Sequence, residues 1–235
     1  MSAPRPGAPR ALLFDLDGTL YRQDPLRLRM LLALARLPVE TRSPKASLQV
    51  WRAIQTFRST RETLRTLGDG ASDLERRQYR LPAEQLGMPP DALEAIVHEW
   101  IDRRPLPQLR RVMRPELPAL LEALAARGIP AGVFSDYPAV AKLAAMGLAG
   151  RFDPVLAATD AAIHAFKPHP AGLLHAAALW DLPPAAILYV GDRPEVDAAA
   201  AAAAGMPCAI VGDRSTPNRA DYLRLTTLTD LIDVL

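Results

Sequence analysis

Apolar residues fall along this chain in two rhythms. Five short runs, at 11–15, 130–135, 152–157, 186–191 and 208–212, are almost wholly apolar. Continuous runs of that length predict strands buried on both faces, as in a parallel sheet. Between the later runs, apolar positions at helical spacing predict helices at 116–127, 138–147, 170–181 and 195–204, and a closing helix at 227–235. Strand and helix therefore alternate from residue 115 onward, the pattern of a parallel sheet with helices on its faces. The alanine run at 198–204 suits a helix packed closely on that sheet.

The stretch between the first two strands differs. From about 22 to 114 it holds no convincing strand, and Val50, Ile54, Phe57, Leu64 and Leu67 recur at helical spacing. Pro38, Pro44, Pro82, Pro89, Pro90 and Pro105 are expected to divide it into four or five helices. The expected organisation is a disordered tail at 1–10, an α/β core of 11–21 and 115–235, and an inserted all-helical cap domain of 22–114. An insertion that leaves and re-enters the core at one edge is placed to act as a lid.

Composition narrows the setting. With 235 residues, 49% hydrophobic and 23% charged, the chain is long enough for a sizeable core and ordinary for a globular protein. A lone cysteine, Cys208, excludes an internal disulfide framework. Its apolar surroundings make it a small core residue, and cytoplasmic localisation is expected. Residues 1–10 lack the apolar segment of a signal peptide, and no run of about 18 apolar residues is present to span a bilayer. Residues 21–114 carry 18 Lys+Arg against 11 Asp+Glu, while the remainder carries 10 against 15. A basic segment facing an acidic one suits an anionic ligand held with a metal cation, and solvated helix faces explain the split equally well. No aromatic stacking pattern points to nucleic acid.

The chemistry-bearing residues sit where the predicted strands end. Ala-Leu-Leu-Phe-Asp-Leu-Asp-Gly-Thr at 11–19 puts Asp15 and Asp17 at the end of the first strand, two residues apart and so on one side. Ligand sites of open α/β sheets lie at these carboxyl ends. Two adjacent carboxylates raise one another's pKa unless a cation intervenes, and one can attack while the other moves protons. Ser135 ends the second strand. Lys167, one of only three lysines against 25 arginines, stands just before a helix. Gly191-Asp192 ends the fourth strand, with Asp197 five residues further on. Together these make a hard-cation site beside an oxyanion site.

In this ordered set the chain resembles the haloacid dehalogenase superfamily, in the phosphatase branch with a helical (C1-type) cap after the first motif. Asp15-Leu16-Asp17-Gly18-Thr19 corresponds to motif I, Ser135 to motif II, Lys167 to motif III, and Gly191-Asp192 with Asp197 to motif IV. The resemblance implies a three-layer α/β/α Rossmann-like parallel-sheet core with an inserted all-helical cap. It implies Asp15 as nucleophile and Asp17 as general acid and base. Ser135 and Lys167 would bind the phosphoryl oxygens. Mg²⁺ would be held by Asp15, the Asp17 carbonyl and Asp192, with Asp197 helping directly or through water. Two positions depart from the common pattern: Asp136 stands where Asn often follows motif II, and Arg193 where Ser often stands in motif IV.

The implied activity is a Mg²⁺-dependent phosphomonoester hydrolase acting on a small phosphorylated metabolite through an aspartyl-phosphate. The alternatives within the superfamily are a phosphosugar mutase, a phosphonate hydrolase or a 2-haloacid dehalogenase. Dehalogenation needs neither a metal nor a proton for an alkoxide, so retention of Asp17, Asp192 and Asp197 argues against it. Only Lys45 is available as a cap Schiff-base lysine for phosphonate chemistry. A non-enzymatic interaction module would be expected to show degraded motifs. The expected partner is the small substrate alone, with no nucleic acid or membrane, on a monomer or homodimer. Arg58, Arg61 and Arg65 form a helical stripe that can reach substrate or lie in solvent. Trp51, Trp100 and Trp180 read as packing anchors.

Overall fold

The computed structural model describes residues 8–43, 45–67, 73–212 and 221–235. Most of the expected tail (residues 1–7) and Pro44 lie outside them, as does the side chain of Leu67. Strand β1 (Ala11–Phe14) leads into helices α1 (Gln23–Thr41), α2 (Ala46–Leu67), α3 (Leu74–Leu86), α4 (Pro90–Val97) and α5 (Leu106–Val112). A π-helical turn at His98–Arg103 continues from α4. The chain then alternates through α6 (Leu117–Arg127), β2 (Ala131–Ser135), α7 (Val140–Ala145), β3 (Val155–Ala157) and α8 (Ala171–Leu179). It closes with β4 (Ile187–Gly191), a π turn at Pro194–Ala198, α9 (Ala199–Ala204), β5 (Cys208–Val211), β6 (Leu223–Leu225) and a 3₁₀ helix at Leu228–Val234.

All strand pairs are parallel, in the order β3-β2-β1-β4-β5-β6. This is a doubly wound sheet whose connections reverse direction at β1, and the crevice outside β1 is the natural ligand site. Alternate residues of β1 feed the two helical layers. Leu12 and Phe14 pack with Leu117, Leu120 and Leu124 of α6 and Leu143 of α7. Ala11 and Leu13 pack with Leu173 and Ala176 of α8 and with Ala200, Ala201 and Ala204 of α9. The alanine run thus forms the close-packed helix its composition suggests.

The structure differs from the sequence expectations at several points. Strand β6 was not expected, because Leu-Arg-Leu is short and two of its three residues are exposed. The third strand begins at Val155 rather than residue 152, and the closing segment is 3₁₀ rather than α, started by Thr227 and Asp230 in a capping box. Pro38 and Pro82 lie inside α1 and α3 instead of dividing them. A proline removes one backbone donor and bends a helix, and flanking turns with tertiary packing carry the helix past it.

The helical insertion has a small core of its own, formed by Ala53, Phe57, Ala83, Leu93 and Val97. Its two connections to the sheet run side by side: Arg22 N–H donates to Val112 O at 2.9 Å and Arg114 N–H to Leu20 O at 3.0 Å. Helix α2 supplies further ties. Arg65 Nη1 pairs with Asp136 Oδ2 at 2.9 Å, Arg61 Nη2 donates to Asp136 O at 2.6 Å, and Glu62 pairs with Arg193 at 3.5 Å. Asp136 is largely shielded from water, its side chain 12% exposed; Lys167 and then Arg65 and Arg61 overcome the cost of that desolvation and hold its carboxyl below the usual range.

Removing that charge leaves Arg65 with a weaker partner. Asp136→Asn is expected to destabilise the protein by about 1–3 kcal/mol, and Arg65→Met should add little to Asp136→Asn in a double-mutant cycle read by chemical denaturation. Full additivity of the two changes would contradict the coupling.

Candidate active site

Three neighbouring strands bring the motif residues together at their carboxyl ends, where Asp15, Asp17, Lys167, Asp192 and Asp197 line one cavity and Ser135 is fully buried beside Asp17. Asp15 follows β1, Ser135 ends β2 and Asp192 follows β4, while Lys167 lies on the loop before α8. Asp15 N–H donates to Val190 O at 2.8 Å, so pairing of β1 with β4 continues into the nucleophile position itself. Two glycines allow the close approach. Gly18 has φ +107°, and a Cβ there would lie 2.0 Å from Asp192 Oδ2. A Cβ on Gly191 would lie 2.4 Å from the Asp197 side chain. Both positions therefore admit no larger residue without displacing an acid.

The Asp15 carboxylate is held at both oxygens. Thr19 Oγ1 donates to Oδ2 at 3.0 Å and Lys167 Nζ donates to Oδ1 at 2.6 Å. Lys167 Nζ also reaches Asp197 Oδ1 at 2.7 Å and Tyr189 Oη at 3.0 Å. Burial alone would lower the Lys167 pKa, but Asp15 and Asp197 outweigh it and hold the ammonium well above its usual range.

The acids are less well balanced than the lysine. Burial, followed by the charges of Asp197 and Asp17, pushes Asp15 up to about 7 despite Lys167. Burial, then Asp15 and Asp197, pushes Asp192 up to about 8. One oxygen from each of Asp15, Asp192 and Asp197 lies within 4.8 Å of the other two. Three carboxylates so close, with one ammonium among them, leave room for a further positive charge. Oxygen-only donors suit a hard divalent cation.

Asp197 is already committed on both oxygens. Oδ2 accepts N–H bonds from Asp192 at 3.1 Å and Arg193 at 2.9 Å, and Oδ1 accepts from Lys167 and from Tyr189 Oη. A carboxylate offers about four acceptor directions, and all four are used here. Its clearest effect is to fix the loop that carries Asp192.

Asp17 faces the same cavity but keeps different company. Lys142 Nζ lies 2.7 and 2.9 Å from its two oxygens, Tyr21 Oη donates to Oδ1, and Ser135 Oγ stands 3.4 Å from Oδ2. The Asp17 carbonyl accepts from Gln23 Nε2. Spacing along the strand put both acids on one side, and both line the cavity. Their hydrogen bonds nevertheless separate them into one acid tied to Lys167 and one tied to Lys142.

Sequence reasoning missed Lys142, Tyr21, Gln23 and Arg114. Arg114 donates to the carbonyls of Thr19 at 2.8 Å and Gly18 at 3.1 Å, pinning the turn after Asp17. Lys142 had a signal, since lysine is scarce and this one stands buried in α7, seven residues after Ser135. The two departures from the family pattern, Asp136 and Arg193, are both residues that pair with α2. Arg58, Arg61 and Arg65 all line the cavity. Arg61 is enclosed by the rings of Phe57, Tyr137 and Phe166 at 5.4, 3.8 and 4.3 Å. Asp160 and His169 accept backbone N–H bonds in turns, and Cys208 is buried in β5.

The cavity over these residues measures about 410 Å³, floored by Asp15, Asp17, Lys167 and Asp192 and walled by α1, α2 and the π turn after α4. A buried carboxylate beside a lysine, with a second acid and a serine at hand, is equipped for nucleophilic displacement at an anionic centre.

Comparison with known proteins agrees with this chemistry. Phosphoglycolate phosphatase of Shigella boydii serotype 4 (strain Sb227) is 31% identical over 214 residues, spanning 84% of this chain and 79% of its own. Phosphoglycolate phosphatase of Yersinia pseudotuberculosis serotype I (strain IP32953) is 29% identical over 207 residues, spanning 85% and 79%. Among solved structures, a 2-haloacid dehalogenase from Pseudomonas syringae pv. Tomato DC3000 superposes with a TM-score of 0.67. It is 26% identical and covers 95% of this chain and 96% of its own. The profile of the haloacid dehalogenase-like hydrolases matches residues 9–205, and the chain belongs to that family.

Proposed function

We propose that this enzyme is a Mg²⁺-dependent phosphomonoester hydrolase that works through an aspartyl-phosphate on Asp15. The observation that carries this reading is the buried Asp15 carboxylate, opening on the cavity with Lys167 on one oxygen and Thr19 on the other. The relatives named phosphoglycolate phosphatase support a phosphate ester as substrate. Asp17 beside Asp15 supports it too, because an alkoxide leaving group needs a proton and a halide does not.

An Asp15 oxygen attacks phosphorus, and the ester P–O bond breaks on the opposite side. The departing alkoxide takes a proton from Asp17. Water then attacks the same phosphorus, Asp17 accepts its proton, and the acyl P–O bond breaks to return Asp15 and release inorganic phosphate. Ser135 Oγ and Lys167 Nζ bind the phosphoryl oxygens, and Lys167 offsets the charge gathered around Asp15. Lys142 keeps the Asp17 side chain facing the cavity.

The donor set fits Mg²⁺. Asp15 and Asp192 would hold it together with the Asp17 carbonyl, which has a second lone pair beside the one taken by Gln23. Asp197, with its acceptor directions filled, would act by fixing the loop that carries Asp192. When bound, the cation supplies positive charge to the phosphoryl oxygens as negative charge shifts in the transition state. The 22–114 segment would serve as a cap domain over a core of 11–21 and 115–235, excluding bulk water when it closes. Among the described residues no helix is long and apolar enough to cross a membrane. The single buried thiol fits a reducing, cytoplasmic setting.

Asp15→Asn should reduce phosphate release from esters to below about one per cent of wild type, since an amide is a very poor nucleophile. Excess EDTA should abolish release and Mg²⁺ restore it; undiminished activity in EDTA would contradict the metal assignment. The metal binds the deprotonated acids, so protons on Asp15 below pH about 7 and on Asp192 below about 8 compete with it. Mg²⁺ affinity measured by calorimetry should fall at least about tenfold from pH 8 to pH 6, with proton release on binding. A pH-independent affinity would count against this pair as ligands.

A further inference from the structure

The cavity has room for more than a phosphate and two carbons. Its volume of about 410 Å³ lies within the range of about 300–1,000 Å³ that encloses drug-sized ligands. The reacting polar groups cluster around Asp15, Lys167 and Asp136, and beyond them the lining is mainly apolar, interrupted by Arg27, Gln55 and Arg58.

Helix α2 carries the change of character. Trp51, Ile54, Arg58, Arg61 and Arg65 all line the cavity and follow one another at helical spacing. At about 1.5 Å per residue, Trp51 sits roughly 20 Å along the helix axis from Arg65. The arginine end meets Asp136 and the Lys167 loop, while the tryptophan end lies far from the reacting groups. Opposite it, α1 presents Met30 and Leu34, and the π turn adds Ile101.

The outer end of this apolar wall stands open to water. Trp51 is 48% exposed and Leu31, also on the wall, is 58% exposed. A large indole left half in water on a cavity wall is what an apolar ligand would cover. Trp51 is therefore not the buried packing anchor its sequence context suggested.

We propose that the enzyme's substrates are phosphate monoesters whose alcohol carries a bulky apolar body, and that phosphoglycolate is a poor fit. The phosphate occupies the Asp15 end, and the body of the alcohol lies between Met30 and Leu34 of α1 and Trp51 and Ile54 of α2. This inference rests on the phosphomonoesterase reading. It separates the chain from the substrate named for its 29% and 31% identical relatives. Arg58, midway along the wall, together with Arg27 and Gln55, suits a carboxylated substrate instead, and the test includes one.

The test is kcat/KM for n-alkyl phosphates from ethyl to hexyl, and for 2-phosphoglycolate, with the full chain and Mg²⁺. The alcohols of that series have similar leaving ability, so differences in rate report binding of the chain. Each fully buried methylene is worth about fourfold. The expected result is a rise of at least about tenfold from ethyl to hexyl, with hexyl phosphate preferred to 2-phosphoglycolate. In Trp51→Ala the hexyl-to-ethyl ratio should fall at least about threefold. Trp51 lies at the surface end of the wall, and the wild-type series stands without the variant.

A flat or falling series, or preference for 2-phosphoglycolate, with release still lost in Asp15→Asn, would overturn the substrate class and leave the phosphatase reading intact. No Asp15-dependent release from any ester would overturn that reading and this proposal with it.

Discussion

Lys167 Nζ lies 2.6 Å from Asp15 and 2.7 Å from Asp197, all three groups being buried at the carboxyl end of the sheet. Burying two carboxylates without a partner is prohibitively costly, and burying one ammonium alone is nearly as bad. Together they form a site in which one ammonium offsets part of the buried negative charge. The remaining imbalance falls on Asp15 and Asp192, whose pKa values are pushed up to about 7 and 8. In the proposed reaction a divalent cation would supply the positive charge that these crowded acids lack.

The rest of the architecture serves to keep those groups in place. The sheet order sets Asp15 on the central strand between the ends of β2 and β4. Asp197 clamps the Asp192 loop through two backbone N–H bonds, and Arg114 clamps the turn that carries Asp17 and Gly18. Ties from Asp136 and Arg193 to α2 then fix the helical insertion above the crevice. The same helix brings charged arginines to the reacting end and Trp51 to the far end. Its sequence therefore shapes both the enclosure of the site and the character of the space beyond it.

Much of this was legible in the chain. Almost wholly apolar runs marked five of the six strands, because a strand buried on both faces admits few polar residues, and Asp15 and Asp192 stood where such runs stopped. Strand β6 escaped because its exposed Leu-Arg-Leu carries no such signature. Pro38 and Pro82 misled because a proline weakens a helix without always ending it. Contacts across space were legible only where the motif set implied them. Lys142 reaches Asp17 over 125 residues and Lys167 reaches Asp15 over 152. Scarcity marks both lysines and motif order places Lys167, but neither signal names Asp17 as the partner of Lys142. Asp136 and Arg193 were visible as departures from a pattern, but their partners, Arg65 and Glu62, became visible only once α2 was in place.

The most direct test of the chemistry uses Asp17→Asn with 4-nitrophenyl phosphate. Nitrophenolate leaves without help from an acid, so attack by Asp15 proceeds, while hydrolysis of the acyl phosphate lacks its base. Rapid mixing with Mg²⁺ should release close to one equivalent of nitrophenolate in a burst, and peptide mapping after acid quench should find the phosphoryl group on Asp15. Sustained turnover with no phosphorylated Asp15, or no release from a folded, Mg²⁺-bound protein, would contradict Asp15 as nucleophile and Asp17 as its proton-transfer partner.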